Sequence, residues 1–351
     1  MNIPQTGFTP GRAYVGWVDT AKGLGIILVV LGHVLRGVVA SDLLTPTPAV
    51  EFVDAWIYAF HMPLFFFVSG LFLFRSAEKP ARDFAWNKIG TIAYPYVVWS
   101  LITLMIKSAL GQIVNQPRTL SEIGEILCCP IEQFWFLYVL FLLSIAIGFL
   151  LKFGMKPWAI IFLAAFLYPG IWPLPWSGWM PFEMARSYGI YMALGIAVGS
   201  SPLFVWLSSA GERPLAAVSI VGFFMVTSLA AFLESSHAHS LDFISAASGT
   251  AAVVALAVLV NRAKMDSAIR FLGRYSLEIY VAHTMASAAI RIIFQQVWHL
   301  TVPAIYILVG TAVGLYGPAF AAIALERIGF RWAFTLSERN KLGSLQQKSL
   351  G

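Results

Sequence analysis

Long apolar runs separated by short polar turns recur along nearly the whole of this 351-residue chain. A helix needs about 20 mostly apolar residues to cross a bilayer. Runs of that kind lie near 20–40, 52–74, 86–107, 133–151, 157–171, 184–200, 214–233, 243–260, 276–297 and 302–325. The pattern predicts an all-α, polytopic transmembrane bundle of about ten helices. It divides the chain into an N-terminal segment 1–18, a membrane domain 19–325 and a polar, basic tail 326–351. The fifth and sixth spans are the least sharply bounded. Between them runs Trp172–Pro181, whose prolines cannot sit in a regular helix and whose tryptophans suit an interfacial loop.

Composition supports the membrane reading: 59% of residues are hydrophobic, 11% are charged, and the mean hydropathy is +0.77. A soluble domain carries about 25% charged residues. The formal charge of +6 could point to nucleic acid, but the basic residues sit in short turns between apolar runs. Taken on alternate sides, Arg12, Arg75, Lys79, Arg82, Lys88, Lys152, Lys156, Arg213, Arg262, Lys264, Arg270, Arg274, Arg327, Arg331, Arg339, Lys341 and Lys348 share one face. That is 17 of 23. Arg36, Lys107, Arg118, Arg186 and Arg291 fall on the other, with most of the acidic residues. The positive-inside rule then predicts both termini in the cytoplasm, an even number of spans and no nucleic-acid partner. The first apolar run lies behind Lys22 and contains His33, so it reads as an uncleaved span. Cys128 and Cys129 are adjacent, which disfavours a disulfide and leaves too few ligands for zinc.

Ionisable groups within spans are costly and ask for a purpose. On the first span Lys22 and His33 lie about 20° apart around the helix, and Asp19 lies within roughly 40° of His33. The three form one polar stripe, with His33 about 16 Å deeper than Lys22. On the second span Glu51, Asp54, Tyr58 and His61 share a face. His61 is about 15 Å from Glu51, a depth comparable to His33. A buried histidine can act as general base, because its pKa is easily tuned. Two histidines could also bind metal, but no HExxH spacing or third ligand accompanies them, and no metal is expected. Glu183 and Arg186 open the sixth span as an i,i+3 pair. Glu278 and His283 lie in the ninth, where a histidine can serve packing as readily as function.

Val18–His33, with a basic residue, ten residues and a histidine, resembles the first-helix signature of the membrane acyltransferase-3 family. His61-Met-Pro-Leu-Phe-Phe-Phe-Val-Ser-Gly70 resembles its second-helix signature. Trp135-Phe-Leu137 and Ser276–His283 are similar to weaker later motifs. The likeness is closest to short, fucose 4-O-acetylase-like members, and Gln133 departs from the polar residue that relatives often carry there.

The resemblance implies an acyl-CoA-dependent O-acetyltransferase of the bacterial inner membrane. Acetyl-CoA, or another acyl-CoA, would be a donor substrate rather than a bound cofactor. The acceptor would be a hydroxyl on a surface polysaccharide sugar or its lipid-linked precursor. His33 is expected as the base, with Lys22, Asp19 and His61 assisting. Arg75, Arg82 and Lys88 would meet CoA phosphates. Glu51, Asp54, Trp135, Glu183 and Arg186 would face the acceptor. Ser69, Glu278 and His283 are further candidates. The alternatives are a transporter or flippase, which also uses buried histidines and broken helices, and a non-catalytic scaffold. No matching pair of broken helices supports the first, and the second leaves His33 and His61 without a purpose.

Overall fold

The computed structural model describes residues 15–170, 175, 177–236 and 241–336. Arg12, Trp172, Arg339, Lys341 and Lys348 lie outside the described residues. Ten helices correspond one for one with the ten apolar runs. They are α1 (Gly16–Val39), α2 (Pro48–Leu71), α3 (Tyr94–Leu110), α4 (Trp135–Lys152), α5 (Pro157–Leu167), α6 (Met180–Gly199), α7 (Glu212–Ser236), α8 (Asp242–Arg262), α9 (Ser276–Gln296) and α10 (Pro303–Arg327). Among the described residues there is no strand.

Eight of these, with α3 and α4 counted together with the shorter helical turns before them, are long and apolar enough to cross a membrane. The chain is an integral membrane protein. Helix α6 becomes a ninth span if counted with Pro202–Ser209, which continues it after a bend of 79°. Helix α5 has 11 residues, about 16 Å of rise against about 30 Å of hydrocarbon. Pro157 starts it, and the backbone turns extended at Tyr168. Arg186 Nε donates to the Leu167 carbonyl, 3.0 Å away, satisfying a group that the shortened helix leaves open.

Helix α1 occupies the centre, against α2, α8, α9, α10 and the short helix Ser267–Arg274. Its middle residues Ile26, Val29 and Val30 are fully enclosed. Glycine allows the closest approaches. A Cβ on Gly273 would lie 1.7 Å from the Asp19 carbonyl oxygen, and one on Gly23 would lie 2.0 Å from that of Ile269. Helices α2 and α6 cross in the same way. A Cβ on Gly195 would meet the Phe67 carbonyl at 2.0 Å, and one on Gly199 that of Leu71 at 2.0 Å. Small residues are how helices pack tightly where lipid removes much of the hydrophobic drive.

A polar staple fixes the start of α1. Thr20 Oγ1 and Asn261 Nδ2 each donate to Asp266 Oδ2 at 2.6 Å, and Arg270 stands 3.8 Å from Oδ1. Burial alone would raise the Asp266 carboxyl. The hydrogen bonds from Asn261 and Thr20, with the Arg270 charge, instead hold it below the ordinary carboxylate range.

Two predictions follow from this packing, both read as thermal unfolding in detergent. Gly195→Val should lose on the order of 3 kcal/mol, because backbone rather than a flexible side chain blocks the new atoms. Gly124→Ala, with nothing within 4 Å, should be tolerated. Asp266→Ala should cost about 1–3 kcal/mol, by stranding the buried Thr20 hydroxyl and the half-buried Asn261 amide. In the wild type the Asp266 contribution should be complete above about pH 4 and should fade as the pH drops through the depressed folded pKa. Asp266→Asn should remove that part of the acid sensitivity, and an unchanged acid profile would count against the staple.

Candidate active site

His33 lies in the C-terminal third of α1, one turn before Arg36, where α2 and α9 flank it. Its imidazole lies 5.1 Å from His283 of α9 and 6.2 Å from Tyr58 of α2, measured between ring centroids. Tyr58 in turn meets His61 edge-on at 4.6 Å. Three histidines from three helices therefore gather in one region, with Tyr58 between two of them and His283 against the third side of His33. Arg36 lies over the Tyr58 ring, its guanidinium carbon 3.2 Å from the centroid. It also forms a fork with Asp54: Nε to Oδ1 and Nη2 to Oδ2, both 2.7 Å. The i,i+4 spacing of Asp54 and Tyr58 brings both beneath that single guanidinium.

The hydrogen bonds distinguish the three imidazoles. His61 Nδ1 lies 2.6 Å from the Ile57 carbonyl, and His283 Nδ1 lies 2.8 Å from that of Tyr280. A carbonyl only accepts, so both rings carry a proton on Nδ1, and in the neutral form Nε2 keeps its lone pair. His283 Nε2 is buried and has no hydrogen-bond partner among the described residues. His33 is bound by no side-chain hydrogen bond there and lies on the wall of a cavity, so its ring is available to a ligand.

That cavity has a volume of about 570 Å³. Its polar wall includes His33, Arg36, Lys107, Glu132, Gln133 and Arg291, and aliphatic residues of α1, α3 and α9 make much of the rest. It is built from the C-terminal third of α1, the end of α3, the turn before α4, and α9, with Tyr306 from α10. The Tyr280 hydroxyl donates to the Gln133 carbonyl, and the Gln133 amide donates to Thr284 at 2.9 Å, so the α4 entry is pinned to α9. Lys107 and Glu132 form an ion pair on the wall. The volume lies within the usual range for a small-molecule site.

The chain matches the acyltransferase domain of the acyltransferase-3 family over residues 15–323. It belongs to that family. A partial match joins it to the nodulation protein NolL of Mesorhizobium japonicum, 28% identical over 148 residues. The aligned stretch covers 40% of this chain and 38% of NolL. No solved structure matches. Family membership supports transferase activity on an acyl group.

The anticipated residues fall into separate groups. His33, His61 and His283 converge, and Asp54 joins them through Arg36. Asp19 and Lys22 pair at 2.6 Å at the other end of α1, with Arg274 3.8 Å from Asp19. Neither lines the cavity. Arg75 faces the Phe204 ring at 5.8 Å, Lys88 shares the Phe84 ring with Lys152, and Arg82 is exposed. Glu51 is exposed on the first turn of α2, and Ser69 is half-buried near its last. Trp135 stacks obliquely on Tyr188 at 5.2 Å, and Glu278 is buried. Glu183 and Arg186 bind each other at 2.9 Å, and Glu183 also accepts from the Ser177 amide. With those groups holding the α5–α6 connection, the pair stands outside the cavity wall.

The cavity wall also contains Glu132 and three basic residues, Arg36, Lys107 and Arg291, that the charge pattern along the chain explains by topology alone. Their signal was a charge at the end of, or within, an otherwise apolar helix.

Tyr58 bridges two histidines and supports Arg36, so its ring matters more than its hydroxyl. Tyr58→Leu should lower acyl transfer at least tenfold relative to Tyr58→Phe, which keeps the ring. Equal rates for the two variants in a radiolabel transfer assay would dismiss the ring as organiser.

Proposed function

We propose that this protein is a bacterial inner-membrane O-acyltransferase. It takes an acyl group, acetyl in the first instance, from cytoplasmic acyl-CoA. It delivers that group to a hydroxyl of a surface-polysaccharide sugar or its lipid-linked precursor. The observation that carries the reading is His33, free of hydrogen bonds and facing a 570 Å³ cavity beside His283, in a chain of the acyltransferase-3 family.

The chemistry needs a base at that point. A sugar hydroxyl attacks a thioester carbonyl poorly until its proton is removed as the new C–O bond forms. His33 takes the proton. The tetrahedral intermediate then collapses, the C–S bond breaks, and the proton passes to the departing CoA sulfur. A two-step version has His33 take the acyl group first and pass it to the hydroxyl, with the same overall balance. His283 and His61 orient the site and share the proton load.

Orientation by the positive-inside rule places Asp19 and Lys22 on the donor side, and Arg75, Arg82 and Lys88 with them as phosphate contacts. The cavity, at the opposite end, is the acceptor side, with Asp54 at its margin. Glu51, Trp135, Glu183 and Arg186 belong to the same outer end. Between the two ends the enclosed Ile26, Val29 and Val30 separate Lys22 from His33. The long pantetheine arm, rather than the whole nucleotide, is what must pass.

Purified protein supplied with labelled acetyl-CoA and bacterial polysaccharide fragments should transfer label, and His33→Ala should reduce the rate by about 10²–10⁴-fold. An undiminished rate would remove His33 from the role of base. Sugar transport into liposomes without consumption of acyl-CoA would replace the reading with a transporter.

A further inference from the structure

Among the described residues, Arg291 is the basic side chain of the cavity wall that meets no carboxylate. Arg36 is matched by Asp54, and Lys107 by Glu132. Arg291 is only 8% exposed and lines the same cavity. Its Nη1 donates to Ser41 Oγ and Asn115 Oδ1, both neutral, and no carboxylate among the described residues pairs with it. Those contacts tie α9 to the end of α1, since Ser41 and Asn115 also hold the Gly37 carbonyl. A strap of that kind requires hydrogen-bond donors, which a neutral amide supplies. It does not require a buried positive charge, whose desolvation costs several kcal/mol when no counter-charge repays it.

Guanidinium has five N–H donors in a planar fork that suits an oxyanion. Nη1 is occupied here, while no partner is recorded for Nε or Nη2 among the described residues. We propose that Arg291 is an oxyanion-binding residue of the acceptor site, holding a carboxylate or phosphate on the sugar that is acylated. This rests on the acceptor reading of the cavity.

The position along α9 adds a constraint. Arg291 lies eight residues beyond His283, about 12 Å of helix rise, and helical side chains lean back toward the N-terminus. The guanidinium is held at Ser41, past the end of α1 and eight residues beyond His33, so it stands away from the base rather than against it. That placement suits a charge on the neighbouring sugar of a chain, as in a uronic acid, or the phosphate joining a sugar to its lipid carrier. The aliphatic wall formed by Ile106, Leu110 and Val114 is compatible with either.

The test uses the full-length protein in detergent and three probes: a glucuronic-acid-containing disaccharide, its neutral glucose counterpart, and a glucosyl phosphate on a short polyprenyl chain. Binding is read as protection against thermal unfolding, which requires no catalysis. At least one charged probe should protect the wild type at concentrations where the neutral disaccharide does not. Arg291→Gln should weaken that protection at least tenfold in concentration, and Arg291→Lys should restore part of it. The probe that protects identifies the source of the oxyanion. In transfer assays, the ratio of kcat/KM for charged over neutral acceptor should fall at least tenfold in Arg291→Gln. Protection without transfer in the wild type would uphold the oxyanion site while removing the acyltransferase reading. Equal protection by neutral and charged probes, no protection by either charged probe, or an Arg291→Gln protein that binds like wild type would each overturn the proposal. If Arg291→Gln does not fold, Arg291→Lys alone carries the comparison, and unaltered charged-over-neutral selectivity there counts against the planar fork.

Discussion

Helix α1 is enclosed by α2, α8, α9, α10 and the short helix Ser267–Arg274, and the arrangement of the other helices follows from that enclosure. A helix facing lipid could not carry Asp19, Lys22 and His33 cheaply, because each would lose water without gaining a partner. Placed at the centre, it meets protein rather than lipid at every polar level. Asp266 takes Thr20 at one end, Asp19 and Lys22 neutralise each other, and His33 finds His283 and Tyr58 near the other. The contact between α1 and the short helix is close enough to need glycine at Gly23 and Gly273. The same glycine packing recurs where α2 crosses α6. Rigid backbone contacts of this kind hold α2 and α9 where His61 and His283 can reach the same region.

The two ends of α1 differ in kind. At the Lys22 end, charges are satisfied by one another and by neighbouring backbone, and the helices close together. At the other end, the last third of α1, the end of α3, the turn before α4 and α9 together enclose the cavity. Its charges are matched at Arg36 and Lys107 and unmatched at Arg291. A bundle that separates a closed, paired end from an open, positively biased one can treat substrates on its two faces differently.

Much of this was legible in the chain. Ten apolar runs became ten helices, because backbone groups in lipid must be satisfied within their own segment, and apolar length therefore reports helix directly. The shortness of α5 and the bend after α6 fall where the sequence boundaries were least sharp. There proline and a hydrogen bond from Arg186, rather than hydropathy, set the end of the helix. The convergence of His33 and His61 was anticipated from their depths on consecutive spans. Depth says little about rotation, however, and the ring that meets His33 most closely in centroid distance is that of His283, 250 residues away in sequence. Glu183 and Arg186, expected to face the acceptor, are buried against each other instead, because i,i+3 spacing shows which residues are neighbours and not what covers them.

The sequence by itself determined the membrane bundle, the family and the histidines worth following, since each depends on local composition or spacing. Only the tertiary structure decided that Tyr58 lies between His33 and His61 and that Asp54 answers Arg36. Only there do Asp19 and Lys22 stand apart from the cavity while Arg291 enters it without a carboxylate. Those facts depend on the rotation and crossing of helices far apart in the chain. Rotation and crossing are set by packing at a few glycines and buried polar contacts, none of which hydropathy records.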